Sequence, residues 1–329
     1  MAIAAHPCPD QEPRPRFAWS PLPPRPPLGG WPSVLTDDGL IPLADDASGS
    51  VVSIPLFDGP RVRSGLICGF TGSGKTVSAR SVLLPGVVAG LETLLVVDGH
   101  RGMAFPDLRP VVSRYARMPE QWSLLIELAH WVMVARLDRR GAAGLPGWDV
   151  PGESDPIVTL VLDEVPTLRR KLSSRHLALV CDLIENGGLV GIRVIQITQS
   201  LHGEDVIGGP RVRDLLLASG WVICHRVREA DVSRLSDVVS GNPRSVGDVS
   251  LRGLAYADAG EAAVVHGGAL AGFPISVRLV GSDRVKAALT SVAARHLAGD
   301  DLAAVGPEYT AAHWDDCWTP GYVFESDRS

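Results

Sequence analysis

The sequence predicts an α/β fold with a mainly parallel central β-sheet flanked by helices, plus small β-rich segments, and three observations predict it. Residues 61–76 run from an apolar stretch (Leu66, Ile67, Cys68) through a glycine-rich turn to the start of a helix that continues from Val77 to Leu84. Thr93 to Val97 and Ile157 to Leu162 are nearly unbroken apolar runs ending in acids, as expected of strands buried on both faces of a parallel sheet. Helical periodicity separates these runs, most plainly at Trp122 to Arg140, where Leu125, Leu128, Ala129, Val132, Ala135 and Leu137 lie mostly on one face.

Taken in order, residues 1 to about 32 are proline-rich, with Pro21, Pro23, Pro24, Pro26 and Pro27 beside Trp19 and Arg25. Such a segment favours extended conformations and builds no core. It reads as a flexible arm, with a docking strip for a protein partner as the alternative. The globular pattern runs from 33 to about 290. Leu40 to Leu43 and Val51 to Leu56 read as short strands around a Ser48-Gly49-Ser50 turn, leading directly into the strand before the glycine-rich loop. Gly141 to Gly152 reads as a loop and Leu177 to Glu185 as a helix; Ile192 to Thr198 is a strand ending at Gln199. Trp221 to His225 reads as another strand, and Glu229 to Val239 as a helix. Leu251 to Tyr256, Ala262 to His266 and Ile275 to Val280 read as short β segments, and 291–329 as a tail of acids and aromatics.

Composition bounds the class. The 329 residues are 45% hydrophobic, enough for a real core. No window approaches the ~18 uninterrupted apolar residues of a membrane span, and the N-terminus lacks the basic patch and apolar run of an export signal. Cys8, Cys68, Cys181, Cys224 and Cys317 are odd in number and without a C-x-x-C pair, which argues for a reducing compartment and against zinc. The expected location is cytoplasmic, with recruitment to a membrane only through a partner. Cys224 and His225 read as a strand residue and its neighbour. The formal net charge is −6, so any nucleic-acid contact must come from local basic clusters. Lysine occurs only at 75, 171 and 286.

Gly69, Phe70, Thr71, Gly72, Ser73, Gly74, Lys75 and Thr76, with Val77 following, fit G-x-x-x-x-G-K-[ST] between a strand and a helix, the context a P-loop requires. The glycines allow successive N–H groups to face a phosphate chain, and the helix adds its positive end. Lys75 would reach the β- and γ-phosphates of ATP, and the Thr76 hydroxyl would take one position on Mg²⁺. Asp163, at the tip of the second acidic strand, would hold the magnesium through water, and Glu164 would orient the attacking water. Gln199 is placed to sense the γ-phosphate; capping its strand is the alternative. At least one strand separates the P-loop strand from its neighbours, the order of ring-forming RecA-like P-loop NTPases, and an Asn-Lys-x-Asp guanine reader is absent from the sequence.

These residues also resemble the FtsK/SpoIIIE-type DNA translocases, particularly the small forms carried by conjugative and integrative elements. The likeness covers roughly Leu40 to Val285. Gly-Phe-Thr-Gly-Ser-Gly-Lys-Thr is similar to G-T-T-G-S-G-K-S. Trp131 with Leu137-Asp138-Arg139-Arg140 resembles that family's Trp and M-E-R-R helix, and Gly191-Ile192 with Ile197-Thr198-Gln199 its A-G-I-H-L-I-L-A-T-Q. The chain departs where the family has Asp-Pro-Lys, carrying Asp98-Gly99-His100 instead. The resemblance implies a motor domain at 33–290 that assembles as a homo-oligomeric ring, a hexamer, and spends ATP to pull double-stranded DNA through its centre. Arg226 and Arg234 are the candidates for an arginine acting across a subunit boundary, a surface ion pair being the alternative for either. Arg169, Arg170, Lys171 and Arg175, with Arg211 and Arg213, are the clusters expected in the channel, gripping the DNA backbone without reading bases. A solvated helix face is the alternative for them. Two other functions stay open: an ATP-dependent assembly or docking protein, and a coupling ATPase passing single-stranded DNA to a secretion channel.

Overall fold

The computed structural model describes residues 35–46, 49–145, 155–240, 242, 245, 251–277, 282–305 and 309. The proline-rich arm at 1–32, most of the Gly141 to Gly152 loop and the aromatic end of the tail lie outside them.

The chain begins with β1 (Leu40–Asp46), β2 (Val51–Pro55), and the small hairpin β3 (Phe57–Asp58) and β4 (Arg61–Val62). Next come the P-loop strand β5 (Gly65–Cys68), helix α1 (Lys75–Val88), β6 (Glu92–Asp98), β7 (Val112–Ala116) and the long helix α2 (Pro119–Ala142). The acidic strand β8 (Ile157–Asp163) leads into α3 (Val165–Lys171) and α4 (Ser174–Asn186), then β9 (Ile192–Thr198), α5 (Gly209–Ser219), β10 (Trp221–Cys224) and α6 (Glu229–Val239). A hairpin, β11 (Glu261–His266) and β12 (Ala269–Val277), precedes α7 (Ser282–Leu289) and α8 (Gly299–Ala304).

Ten strands form one sheet in the order β2-β1-β12-β11-β10-β5-β9-β8-β6-β7. From β10 to β7 every neighbouring pair is parallel, and the remaining strands add antiparallel. β9 therefore lies between the P-loop strand and the acidic strand, which puts a gap of one strand between phosphate grip and acids. Successive side chains of a strand point to opposite faces. Along β8, Val158, Leu160 and Leu162 enter one core while Ile157 and Val161 enter the other. Helices α2, α4, α5 and α6 cover the first face and α1 the second, so an uninterrupted apolar strand is stable.

Three sequence expectations are corrected. Leu251 to Tyr256 is a 3₁₀ helix, not a strand; its buried Leu251 and Leu254 are three residues apart, the spacing of that helix rather than of a pleat. The final strand starts at Ala269, because it pairs back on β11 across a turn. β1 and β2 do not lead directly into the P-loop strand: β3 and β4 intervene, and β1 pairs with β12 at the far edge of the sheet. Arg169, Arg170 and Lys171 lie on α3, Arg175 on α4, and Arg211 and Arg213 on α5.

Residues beyond 290 contribute to the first core through Leu297, Val305 and Tyr309. Asp301 of α8 is fully buried and takes hydrogen bonds from Arg136 Nη2 at 2.6 Å, Arg136 Nε at 3.1 and 3.2 Å and Arg139 Nη2 at 2.9 Å. Arg136 spends its other nitrogen on the carbonyls of Pro156 and Val190, both at 3.0 Å. A second buried cluster bridges the amino ends of three strands: Arg193 of β9 meets Glu92 of β6 at 2.5 Å, and Thr159 of β8 bonds both.

Candidate nucleotide-binding and hydrolysis site

The glycine-rich turn wraps the start of α1. Gly69 and Gly74 hold φ of 150° and 119°, which side chains other than hydrogen resist. A Cβ on Gly69 would stand 2.7 Å from His225 Cβ, and one on Gly74 3.1 Å from His225 Cε1. His225 therefore occupies the space that the missing side chains leave. Its Nδ1 donates to Glu261 O at 2.9 Å, which leaves Nε2 to accept the Ser78 hydroxyl of α1 at 2.7 Å. Three backbone bonds complete the clamp: Phe70 N to Arg226 O, Gly260 N to Ser73 O, and Gly69 N to Thr198 O. The loop is thus fixed by β9, β10 and β11 before any ligand arrives.

Burial pushes the His225 imidazole down to about 4, the Glu261 carbonyl opposing and the Lys75 charge adding. Between the ordinary 6.5 and about 4 the unfolded chain binds a proton there that the native site refuses. This contribution to stability is whole above about pH 6.5 and is lost as pH falls toward 4, with a ceiling of about 3 kcal/mol. Urea midpoints across that window are expected to fall less in His225→Gln than in wild type. Parallel slopes for the two proteins would remove His225 from the acid limb.

A cleft of about 400 Å³ opens above the turn, lined by Thr71, Gly72, Gly74, Lys75, Thr76, Val77, His100, Met103, Ala104, Phe105, Asp163, Glu164, Ile197 and Gln199. Lys75 Nζ donates to Gly69 O at 2.7 Å and Phe70 O at 3.1 Å. Burial lowers its pKa, while Glu164 and Asp163 oppose the shift. Glu164 caps α3 with a left-handed φ of 56°, a strained state that persists only where surroundings impose it. Gln199 Nε2 donates to Glu164 Oε1 at 2.7 Å. Two acids, an amide and an ammonium therefore converge from β8, β9 and α1 on one open space.

The loop after β6 completes the wall. Asp98, fully buried and opposite Asp163 across the parallel pair, accepts from His100 N at 2.5 Å, Gly102 N at 2.5 Å, Ala104 N at 3.1 Å and the Tyr115 hydroxyl at 2.5 Å. It holds Arg101 and Phe105 at positive φ of 57° and 46°. That loop carries His100, whose Nδ1 donates to Asp163 Oδ2 at 2.9 Å and whose Nε2 lies 3.7 Å from Glu164 Oε2. The Asp163 hydrogen bond raises the His100 pKa, partly offset by burial.

The residues fit a magnesium nucleoside triphosphate. A Cβ on Gly72 would meet nothing within 4 Å, so the turn is open to a phosphate chain, and the first turn of α1 offers N–H groups without intrahelical partners. Thr76 is exposed and Asp163 lines the same cleft, supplying the hard oxygen donors that magnesium takes.

The other sequence candidates divide. Arg169, Arg213 and Arg234 line a second cavity of about 360 Å³ with His202. Arg169 Nη1 is bonded to the Gly203, Glu204 and Val206 carbonyls, and Arg234 Nη1 to Asp231 at 3.0 Å. Arg226 is exposed beside the P-loop that its carbonyl anchors. Arg170, Lys171, Arg175 and Arg211 do not join that cavity: Arg170 reaches Thr167, Lys171 stands 5.7 Å over the Trp122 ring, Arg175 pairs with Glu127 and Arg211 with Glu185. Sequence reasoning missed three members of the site. Asp98 was visible as a strand-end acid and His100 as the departure from the family's Asp-Pro-Lys; His225 had no motif to mark it.

No family model matches the sequence, and no curated protein does. Solved structures do match. The pCW3 conjugation coupling protein TcpA, a monomer with ATPγS, aligns with TM-score 0.60 at 18% identity over 79% of this chain and 75% of its own. EssC ATPases 2 and 3 from Geobacillus thermodenitrificans align at 0.57 and 16% over 85% of this chain and 54% of theirs. The type VII secretion ATPase EccC of Thermomonospora curvata aligns at 0.55 and 19% over 81% of this chain and 32% of its own. This chain thus spans only about half and a third of the EssC and EccC chains. At these identities the likeness establishes the P-loop ATPase fold. Among the described residues no helix is long and apolar enough to cross a membrane.

Proposed function

We propose that this protein is a Mg²⁺-dependent ATPase whose turnover drives the movement of double-stranded DNA, working as a homo-oligomeric ring. The observation that carries the hydrolytic half is the convergence of Lys75, Thr76, Asp163, Glu164 and Gln199 on one cleft. Thr76 and Asp163 would hold magnesium, which would supply neutralisation of phosphate charge. Lys75 would leave the Gly69 and Phe70 carbonyls for phosphate oxygens. Glu164 would hold the attacking water, and Gln199, already bonded to Glu164, would report on the γ-phosphate to the loop beyond β9.

That loop supports the link to DNA. It runs into the cavity where Arg169, Arg213 and Arg234 meet, so a shift at Gln199 reaches guanidinium groups within a few residues. Arg175 and Arg211 are exposed guanidinium groups paired with Glu127 and Glu185; pairs of this kind are worth about 0–1 kcal/mol and can exchange a carboxylate for a phosphate. The fold neighbours named for conjugation coupling and for type VII secretion favour a second reading, a coupling ATPase whose cargo is single-stranded DNA or protein.

ATP turnover measured alone, with duplex DNA and with single-stranded DNA separates them. Stimulation by duplex, together with a larger oligomeric mass and loss of both in Lys75→Ala, is the expected outcome. Turnover indifferent to duplex would sink the translocase and leave the coupling reading.

A further inference from the structure

We propose that His100 is a positioning residue for the two cleft acids, holding Asp163 through Nδ1 and steering Glu164 through Nε2, and that it sets the magnesium affinity of the nucleotide site. The inference rests on the nucleotide reading of the cleft. It concerns a side chain outside the P-loop and the acidic strand.

Three features of the geometry point to it. The imidazole is anchored from behind, because its own backbone N–H and those of Gly102 and Ala104 are tied to the buried Asp98 carboxylate. Both ring nitrogens face acids: Nδ1 is 2.9 Å from Asp163 and Nε2 is 3.7 Å from Glu164. Lys75, the ammonium of the cleft, is bonded to the Gly69 and Phe70 carbonyls instead. A carboxylate held by a donor on one oxygen presents its other oxygen in a fixed direction, and outer partners of this kind commonly change metal affinity 10- to 100-fold when removed. Asp163 Oδ2 accepts the hydrogen bond from His100 Nδ1, which leaves Oδ1 for the ion or its water. Half of the ring is exposed at 52%, and it lines the cleft, so it can follow the acids when a ligand enters.

The full chain is titrated with Mg²⁺ in the presence of a fluorescent ADP analogue, and the midpoint of the magnesium-dependent gain in binding is compared with affinity in EDTA. His100→Ala is expected to raise the magnesium midpoint about tenfold, a larger change than any in the EDTA affinity. Asn carries an amide nitrogen near the place of Nδ1 and Gln one near Nε2. His100→Asn is therefore expected to restore the midpoint and His100→Gln to behave as Ala. Equal midpoints in wild type and His100→Ala, or rescue by Gln and not by Asn, overturn the proposal. Loss of EDTA affinity in step with the midpoint overturns it too, since that marks a general structural role. Binding by wild type without a magnesium-dependent gain overturns the proposal as well, whereas no binding of the analogue with or without magnesium would refute the nucleotide reading itself.

Discussion

Glu164→Gln is expected to lower ATP turnover by about 10²–10⁴-fold, the range for losing a positioned proton acceptor, while nucleotide binding persists. The substitution keeps the volume of the side chain, and its amide oxygen can still accept from Gln199 Nε2, now at 2.7 Å from Glu164 Oε1. What disappears is the negative charge that polarises a water. Single-turnover hydrolysis beside equilibrium binding of ATP reads the two effects apart. Turnover within about tenfold of wild type would remove Glu164 from the chemistry. Loss of binding equal to loss of turnover would mean that the residue serves the shape of the α3 start, where it holds a positive φ, rather than the reaction.

Asp301→Ala is expected to destabilise the protein by about 3–5 kcal/mol, the usual cost of stripping one partner from a buried ion pair. Arg136 is nearly inaccessible, with 1% of its side chain exposed, and three of its contacts end on Asp301. Arg139 would also lose a partner at 2.9 Å. The Pro156 and Val190 carbonyls remain but are neutral, and the remaining carboxylate, Asp155, is part-exposed and 3.8 Å from Arg136 Nε, too distant to replace the direct hydrogen bonds of Asp301. Urea unfolding monitored through tryptophan fluorescence measures the loss. A change below about 1 kcal/mol would place the pair among weak surface contacts and release α8 from the core. Because α8 packs on α2 rather than at the cleft, nucleotide affinity of the folded variant is expected to remain.

The parallel core was legible in the sequence, as were the P-loop and the strand ending in Asp163 and Glu164. In each case the signal is local: a run of apolar residues fit for burial on both faces, or a glycine pattern with one steric meaning. The β7 strand and the α5 helix were harder to read, because the polar Ser113 and Arg114 interrupt β7 and a Gly-Pro pair opens α5. Leu251 to Tyr256 misled because short apolar stretches do not declare their period. Arg193 in mid-strand had no local explanation at all; its partners Glu92 and Thr159 come from two other strands.

The residues by themselves determined which backbone can cradle a phosphate chain and which strands are buried, since sterics and burial act over a few neighbours. Only the tertiary structure decided that His225 fills the space under Gly69 and Gly74, that His100 faces Asp163 and Glu164, and that Asp301 closes on Arg136. Those are meetings of segments far apart in the chain. Strand order and long-range packing arrange them, and periodicity within one segment carries no information about which other segment lies against it.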